Sequence, residues 1–353
     1  MADVMCAAAR VLHAQAAAER AVREHLDDLT KPVGSLGRLE DVARRLALIY
    51  GDPPRSLARR CVLTFAADHG VAAEQVSAYR AEVTAQMCRL VAQGRAAINV
   101  MANACDATVH VIDVGVNTAA PIPGVEYCRV RNGTRNLAFE NALEQAAVMH
   151  ALEIGYDAVV TRLDEYDVFA VGELGIGNST AAAAVTAALL DVDARTVCGR
   201  GTGIGDTVLQ HKIHIVSAAL RRMPPAPSVT QVLAAVGGLE LCAIAGATIA
   251  CAEHGRAVVG DGFIATAGVL AAVCSNRAIA DYVFASHLST EPGHALQLAH
   301  IGVEPLFSLG MRLGEGTGAV LALPMLDAAA RLLRDMATFT SAAVSRRSAP
   351  LDA

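Results

Sequence analysis

The chain has no tryptophan, and aromatic residues fill only 4% of its 353 positions. A core without large rings must be filled by small aliphatic side chains. Hydrophobic residues reach 54%, mostly Ala, Val and Leu, which suits helices packed closely on a parallel sheet. Charged residues are sparse at 18%, but so apolar a chain is not a disordered one. None of the nine cysteines forms a C-x-x-C pair. An odd, unpatterned set excludes a disulfide frame or zinc ribbon and points to a reducing compartment, hence a cytoplasmic protein. Basic runs are missing and the net charge is −6, so nucleic acid is not an expected partner.

Membrane signals are lacking as well. Ser179–Leu190 is apolar but too short to span a bilayer. Val232–Ala252 is long enough, yet it holds Glu240 and the adjacent Gly237 and Gly238, and its apolarity is largely alanine. Both segments read as buried helices of a soluble protein. The first twenty residues lack the basic-then-apolar order of a signal peptide.

What is present is a rhythm. Val11, Ala14, Ala18, Val22 and Leu26 predict a helix over 1–29, and a second follows the Pro32–Gly34 break over about 39–50. From Arg60 onward, short apolar runs end in glycine-rich or polar turns that open helical patterns. The runs are CVLTFA, TVHVIDVGV, DVFAVGE, RAVVGDG and DYVFASH. Such alternation predicts an α/β fold, a doubly wound and mostly parallel sheet. Ligands of such sheets bind at the carboxyl ends of the strands. A last helix, about 319–338, contains Pro324 and is expected to kink or restart there. Residues 1–59 and 320–345 are expected to form a small helical domain, 60–319 the α/β domain, and 346–353 a frayed tail.

Chemistry-bearing residues gather in the turns. In LGMRLGEGTGAVLALP (309–324), Glu315 stands alone between Gly314 and Gly316 at the start of a helical pattern. ELGIGNSTAAAA (173–184) is a strand–turn–helix anion site, with Gly175 and Gly177 for the turn and Asn178, Ser179 or Thr180 to cap the helix. It lacks the lysine of a P-loop, which excludes Walker-type nucleotide hydrolysis. GRGTGIGD (199–206) lacks the third glycine of a dinucleotide fingerprint. Lys212 follows it, either as a phosphate-binding cation or as a surface lysine. Asp68 and His69 in ADHGV, and His287, Glu291 and His294 in SHLSTEPGH, are metal-ligand types without ligand spacing, so no metal is expected. VSAYRAEVTAQM (76–87) reads either as a slot for a flat heterocycle or as a polar turn and an amphipathic helix.

Together the motifs resemble one family in order. KPVGSLGRLE, AADHGV, VSAY–EVTAQM, GRAAINVMA, DVGV, GTRN, GELGIGNST, GRGTG, VGGLEL–AIAGA, GDGFI, SHLSTEPGH and LGMRLGEGTGAVLALP–AARLLRDMATF span about Thr30–Phe339. The chain resembles the nicotinate-nucleotide–dimethylbenzimidazole phosphoribosyltransferases. The resemblance implies transfer of phosphoribose from nicotinate mononucleotide to 5,6-dimethylbenzimidazole, inverting C1′, with Glu315 as the base, no metal or cofactor, and a homodimer. It implies a supporting role for Glu173 and a base slot of Ser77, Gln86, Met87 and Leu313. The nucleotide contacts it implies are Gly175, Gly177, Asn178, Gly201, Thr202, Lys212, Ser289 and Gly314. Four departures stand out. Val33 replaces a second proline, Gln75 a glycine, Arg80 a proline, and GNST the usual GNTT. Gln75 and Arg80 flank the expected base slot, leaving another benzimidazole, adenine or a phenol as alternative acceptors. A non-catalytic nucleotide-binding protein on this fold is the other alternative.

Overall fold

The computed structural model describes residues 16–345. The beginning of the helix expected over 1–29, and the 346–353 tail, lie outside the described residues.

Two helices come first, α1 (Ala16–Asp28) and α2 (Arg38–Tyr50). Strand β1 (Arg60–Ala67) is followed by one turn of 3-10 helix, α3 (Glu82–Ala92) and α4 (Ala97–Ala104). Then come β2 (Ala107–Gly115), β3 (Glu126–Tyr127), α5 (Gln145–Val160) and β4 (Val168–Leu174). Five helices run in succession: α6 (Asn178–Leu190), α7 (Ala194–Val197), α8 (Asp206–Arg221), α9 (Val229–Val236) and α10 (Leu239–Glu253). The chain continues through β5 (Val258–Gly260), α11 (Phe263–Ser275), β6 (Val283–His287), α12 (Gly293–Ile301) and β7 (Pro305–Phe307). It ends in α13 (Thr317–Asp335) and α14 (Phe339–Ala342).

The seven strands form one sheet in the order β3-β2-β1-β4-β5-β6-β7, and every pairing is parallel. The doubly wound α/β fold expected from the alternation is the fold observed. Strand order reverses between β1 and β4, and that switch point is where such sheets take ligands. Strands buried on both faces need continuous apolar sequence, and β4 is buried along its whole length. Helix α10, flanked by α5 and α11, covers one face, while α13 with α2 and α4 covers the other. The scarcity of rings acts here. A Cβ on Gly246 of α10 would stand 1.9 Å from the Leu152 carbonyl oxygen of α5, so the two backbones nearly touch.

Two expectations need correction. The apolar run 232–252 is not one helix but parts of α9 and α10, separated at Gly237–Gly238 by extended backbone. Of the kink or restart expected at Pro324, the restart does not occur: helix α13 runs unbroken through it. The proline forfeits one hydrogen bond, but burial of Val320, Leu323, Leu326 and Ala330 holds the helix through it. The edge strands β3 and β7 escaped the periodicity because they are only two and three residues long. The segment after α1 meets the segment after α13 where Thr30 N–H and Oγ1–H both donate to the Ala337 carbonyl at 3.0 Å.

Candidate active site

At the switch point, Asp68 and His69 leave β1 while Glu173 sits near the end of β4. The glycine turn before α13 lies over them. A Cβ on Gly172 would fall 2.3 Å from Gly316 N, and one on Gly314 would fall 2.4 Å from Glu173 Oε1. Glycine at both positions lets the turn rest directly on β4. Glu315 itself has φ 65°, a left-handed conformation that costs a non-glycine residue about 1 kcal/mol. The surroundings hold it there. Glu315 N–H donates to the Glu173 carbonyl at 3.2 Å, and Thr64 Oγ1–H donates to the Glu315 carbonyl at 2.9 Å.

The Glu315 side chain is buried, and its Oε2 accepts from Ile98 N–H at 3.1 Å, in the first turn of α4. Burial raises the carboxyl above its ordinary value, and the Ile98 donor pulls the other way. One oxygen is thus anchored at a helix N-terminus, which orients the other. Glu173 is more extreme. Burial, reinforced by Asp261 and Glu240, pushes it well above the carboxylate range, and Asn178 Nδ2–H donates to its Oε2. Asp261, just beyond β5, accepts from Gly318 N–H at 2.8 Å, Gly316 N–H at 3.0 Å and Ala319 N–H at 3.1 Å. It caps α13 and fixes the turn that carries Glu315. Burial pushes the Asp261 carboxyl up to about 6 against the pull of those donors.

A second cluster lies around Lys212. This residue is not on the surface: it is 0% exposed, and its Nζ donates to Ser179 Oγ at 3.0 Å and the Gly199 carbonyl at 3.1 Å. Burial lowers its pKa, against the opposing pull of Cys198 and Glu291. Around it, Gly201 N–H donates to Glu291 Oε1 at 2.9 Å, and Ser289 Oγ lies 3.4 Å from Glu291 N. Gly177, at φ 95°, caps α6, and Asn178 follows, buried. The Lys212 amine and Ser179 hydroxyl beside the start of α6 are groups that can bind an anion, with the Glu291 carboxylate now holding the Gly201 N–H.

Further contacts tie the motifs together. Thr202 Oγ1 accepts from Ala78 N–H at 2.9 Å and lies 3.2 Å from Ser77 Oγ. Thr202, assigned to the nucleotide, and Ser77, assigned to the base, therefore touch. Arg312 Nη1–H donates to the Gly201 carbonyl at 3.0 Å, linking the Glu315 turn to the Lys212 cluster. Leu313 is 59% exposed, Gln86 is exposed and Met87 is half-buried on α3, and none of the three joins the hydrogen-bonded cluster among the described residues.

The metal-like side chains have other partners. His294 Nδ1 accepts from Ser289 N–H at 2.9 Å, which leaves the ring proton on Nε2 facing Thr266 Oγ1 at 3.1 Å. Burial, helped by His287, pushes this imidazole down to about 3. His69 pairs with Glu240. Ile98 and Asp261 were not named from sequence. A backbone donor leaves no sequence signal, but an aspartate directly after a buried strand, in GDGF, could have been followed up.

Known proteins similar to this chain carry one family name. A family model described as phosphoribosyltransferase matches residues 11–344. A nicotinate-nucleotide–dimethylbenzimidazole phosphoribosyltransferase of Prosthecochloris aestuarii is 44% identical over 93% of this chain and 94% of its own length. One of Thermus thermophilus is 49% identical over 92% of this chain and 97% of its own. The crystal structure of CobT from Thermus thermophilus superimposes with a TM-score of 0.91 at 48% identity, covering 94% of this chain and all of that one. The chain belongs to the nicotinate-nucleotide–dimethylbenzimidazole phosphoribosyltransferase family.

Proposed function

We propose that this enzyme transfers phosphoribose from nicotinate mononucleotide to 5,6-dimethylbenzimidazole, releasing nicotinate and α-ribazole 5′-phosphate. The observation that carries the reading is Glu315, a buried carboxylate of raised pKa fixed on a glycine turn at the switch point of the sheet. The chemistry asks for one base. A bare benzimidazole nitrogen attacks C1′, and the C1′–pyridinium bond breaks with its electrons passing to the pyridine nitrogen. Nicotinate therefore leaves as a neutral ring without a general acid. The adduct is cationic and still carries a proton on its other nitrogen, which Glu315 takes. Attack opposite the leaving group inverts C1′. A raised pKa strengthens Glu315 as a base, provided it is ionised.

Lys212, Ser289, Gly175, Gly177, Asn178, Gly201, Thr202 and Gly314 are proposed to hold the nucleotide, with its phosphate in the Lys212 cluster. Ser77, Gln86, Met87 and Leu313 are proposed to hold the base. Glu173, whose carboxyl burial pushes up, is proposed to keep Asn178 in place beside the nucleotide turn. The donor has no pyrophosphate, so the proposed step asks for no metal. A homodimer, a cytoplasmic location and the small helical unit of 1–59 with 320–345 complete the proposal. The packing of α2 on α13 supports that unit, and among the described residues no helix is long and apolar enough to cross a membrane.

The test is to incubate the purified protein with nicotinate mononucleotide and dimethylbenzimidazole, benzimidazole, adenine or a phenol, and to separate the products. α-Ribazole 5′-phosphate formed fastest from dimethylbenzimidazole supports the reading. Preferred transfer to another base would replace the acceptor, and no transfer to any base would defeat the reading.

A further inference from the structure

Beneath the proposed nucleotide turn lies an ion pair with no role in the mechanism above. His69 Nε2 is 2.7 Å from Glu240 Oε1, and both side chains are 0% exposed. Taking two such groups out of water costs more than their attraction ordinarily returns, so the pair is a poor way to gain stability. Each partner also keeps one buried atom without a hydrogen bond, His69 Nδ1 and Glu240 Oε2. Burial alone would lower the imidazole, but the charge and hydrogen bond of Glu240, with Asp68 beside it, outweigh that and raise it.

The backbone is moulded around this pair. Gly238, at the break between α9 and α10, passes so close that a Cβ there would stand 2.4 Å from His69 Cε1 and 2.6 Å from Glu240 Oε2. On its other side, His69 Cβ lies 3.2 Å from where a Cβ on Gly177 would stand. The pair therefore ties three elements at one corner: the loop after β1, the first turn of α10 and the glycine that caps α6.

We infer that His69 and Glu240 are a positioning pair for the nucleotide half of the site. They brace the Gly175–Asn178 turn from below, so that its N–H groups and the Lys212 cluster keep the spacing a phosphate needs. Neither residue touches substrate. The inference rests on reading that turn as the phosphate site.

Calorimetric binding of nicotinate mononucleotide and of dimethylbenzimidazole, with thermal melting beside it, tests the pair without requiring turnover. His69→Leu strands Glu240, and nucleotide affinity should fall by about tenfold or more while base affinity stays within about twofold. His69→Gln returns a donor to Glu240 and should recover most of the loss. The double variant His69→Leu/Glu240→Met removes both charges, and should regain thermal stability without regaining nucleotide affinity. Nucleotide affinity that recovers together with Tm in the double variant would make the pair merely structural and overturn the inference. Unchanged affinity in His69→Leu would overturn it too. Wild-type protein that binds the nucleotide but forms no product would defeat the proposed reaction alone. Wild-type protein that binds no nucleotide would overturn both.

Discussion

Lys212, Ser289 and Asn178 are buried and held by neighbours, whereas Gln86 and Leu313 stand open to solvent and Ser77 is only half-buried. The first set belongs to the nucleotide half of the proposed site and the second to the base half. The contrast follows from what each would bind. A phosphate must exchange its hydration for fixed donors, so its donors have to be in place beforehand. A flat base gains mainly from apolar contact, which exposed side chains can supply once something covers them. In the proposed homodimer a second copy could provide that cover. Glu315 lies at the seam between the halves, buried like the first and adjoining the second through Leu313.

The sharpest way to break this comparison is to remove the group at the seam. Glu315→Gln should lower kcat by about 10²–10⁴-fold while leaving nucleotide binding nearly intact, because the phosphate cluster is built from other residues. Steady-state kinetics with calorimetric nucleotide binding would check both parts. Next in size is Lys212→Met, which keeps the buried stem and removes the charge. It should cost about 2–3 kcal/mol of nucleotide binding, roughly 30- to 160-fold in the Michaelis constant for nicotinate mononucleotide. The constant for the base should barely move, and equal changes in both would dissolve the division into halves.

Asp261→Asn is a milder intervention on the seam. Its amide would place N–H donors against the Gly316, Gly318 or Ala319 N–H groups that Asp261 now accepts from. A cost of about 1–3 kcal/mol should appear as a lower melting temperature and, through the displaced turn, a lower kcat. Normal kcat in a variant with lowered Tm would show that the turn keeps its place without the cap. The smallest effect is expected at Gln75. It sits at φ 56°, ψ 35°, a left-handed site that favours glycine. It borders a surface hollow with Glu74, Thr207 and His211. Gln75→Gly should stabilise the fold by about 0.5–1 kcal/mol in denaturant melts and leave the ranking of acceptor bases unchanged. A reordered ranking would place Gln75 in the base half after all.

Much of this architecture was legible in the sequence. Apolar runs such as DVFAVGE ending in glycine turns identify parallel strands, and the lone Glu315 between two glycines marks the turn proposed to carry the base. What stayed hidden depends on contacts distant in sequence. Whether Lys212 is a surface charge turns on burial alone, and its burial arises from the packing of α8 and α6. The bond from Ile98 to Glu315 belongs to a main-chain donor that any residue but proline could supply. At the Gly237–Gly238 break, the lack of room for a Cβ on Gly238 comes partly from His69, which lies far away in sequence. Very short edge strands such as β7 leave no periodicity to read.

The central claim is that Glu315, with its pKa raised by burial, is the base. The most direct measurement is the pH dependence of kcat under saturating substrates, in the wild type and in Glu315→Gln. A carboxylate base must be ionised, so wild-type kcat should fall as pH drops through the group's pKa. Because burial raises that pKa, the fall should begin at a higher pH than for an ordinary glutamate. In Glu315→Gln the acid limb should vanish and leave a low, flat rate. An identical limb and near wild-type turnover in the folded Glu315→Gln protein would contradict the account.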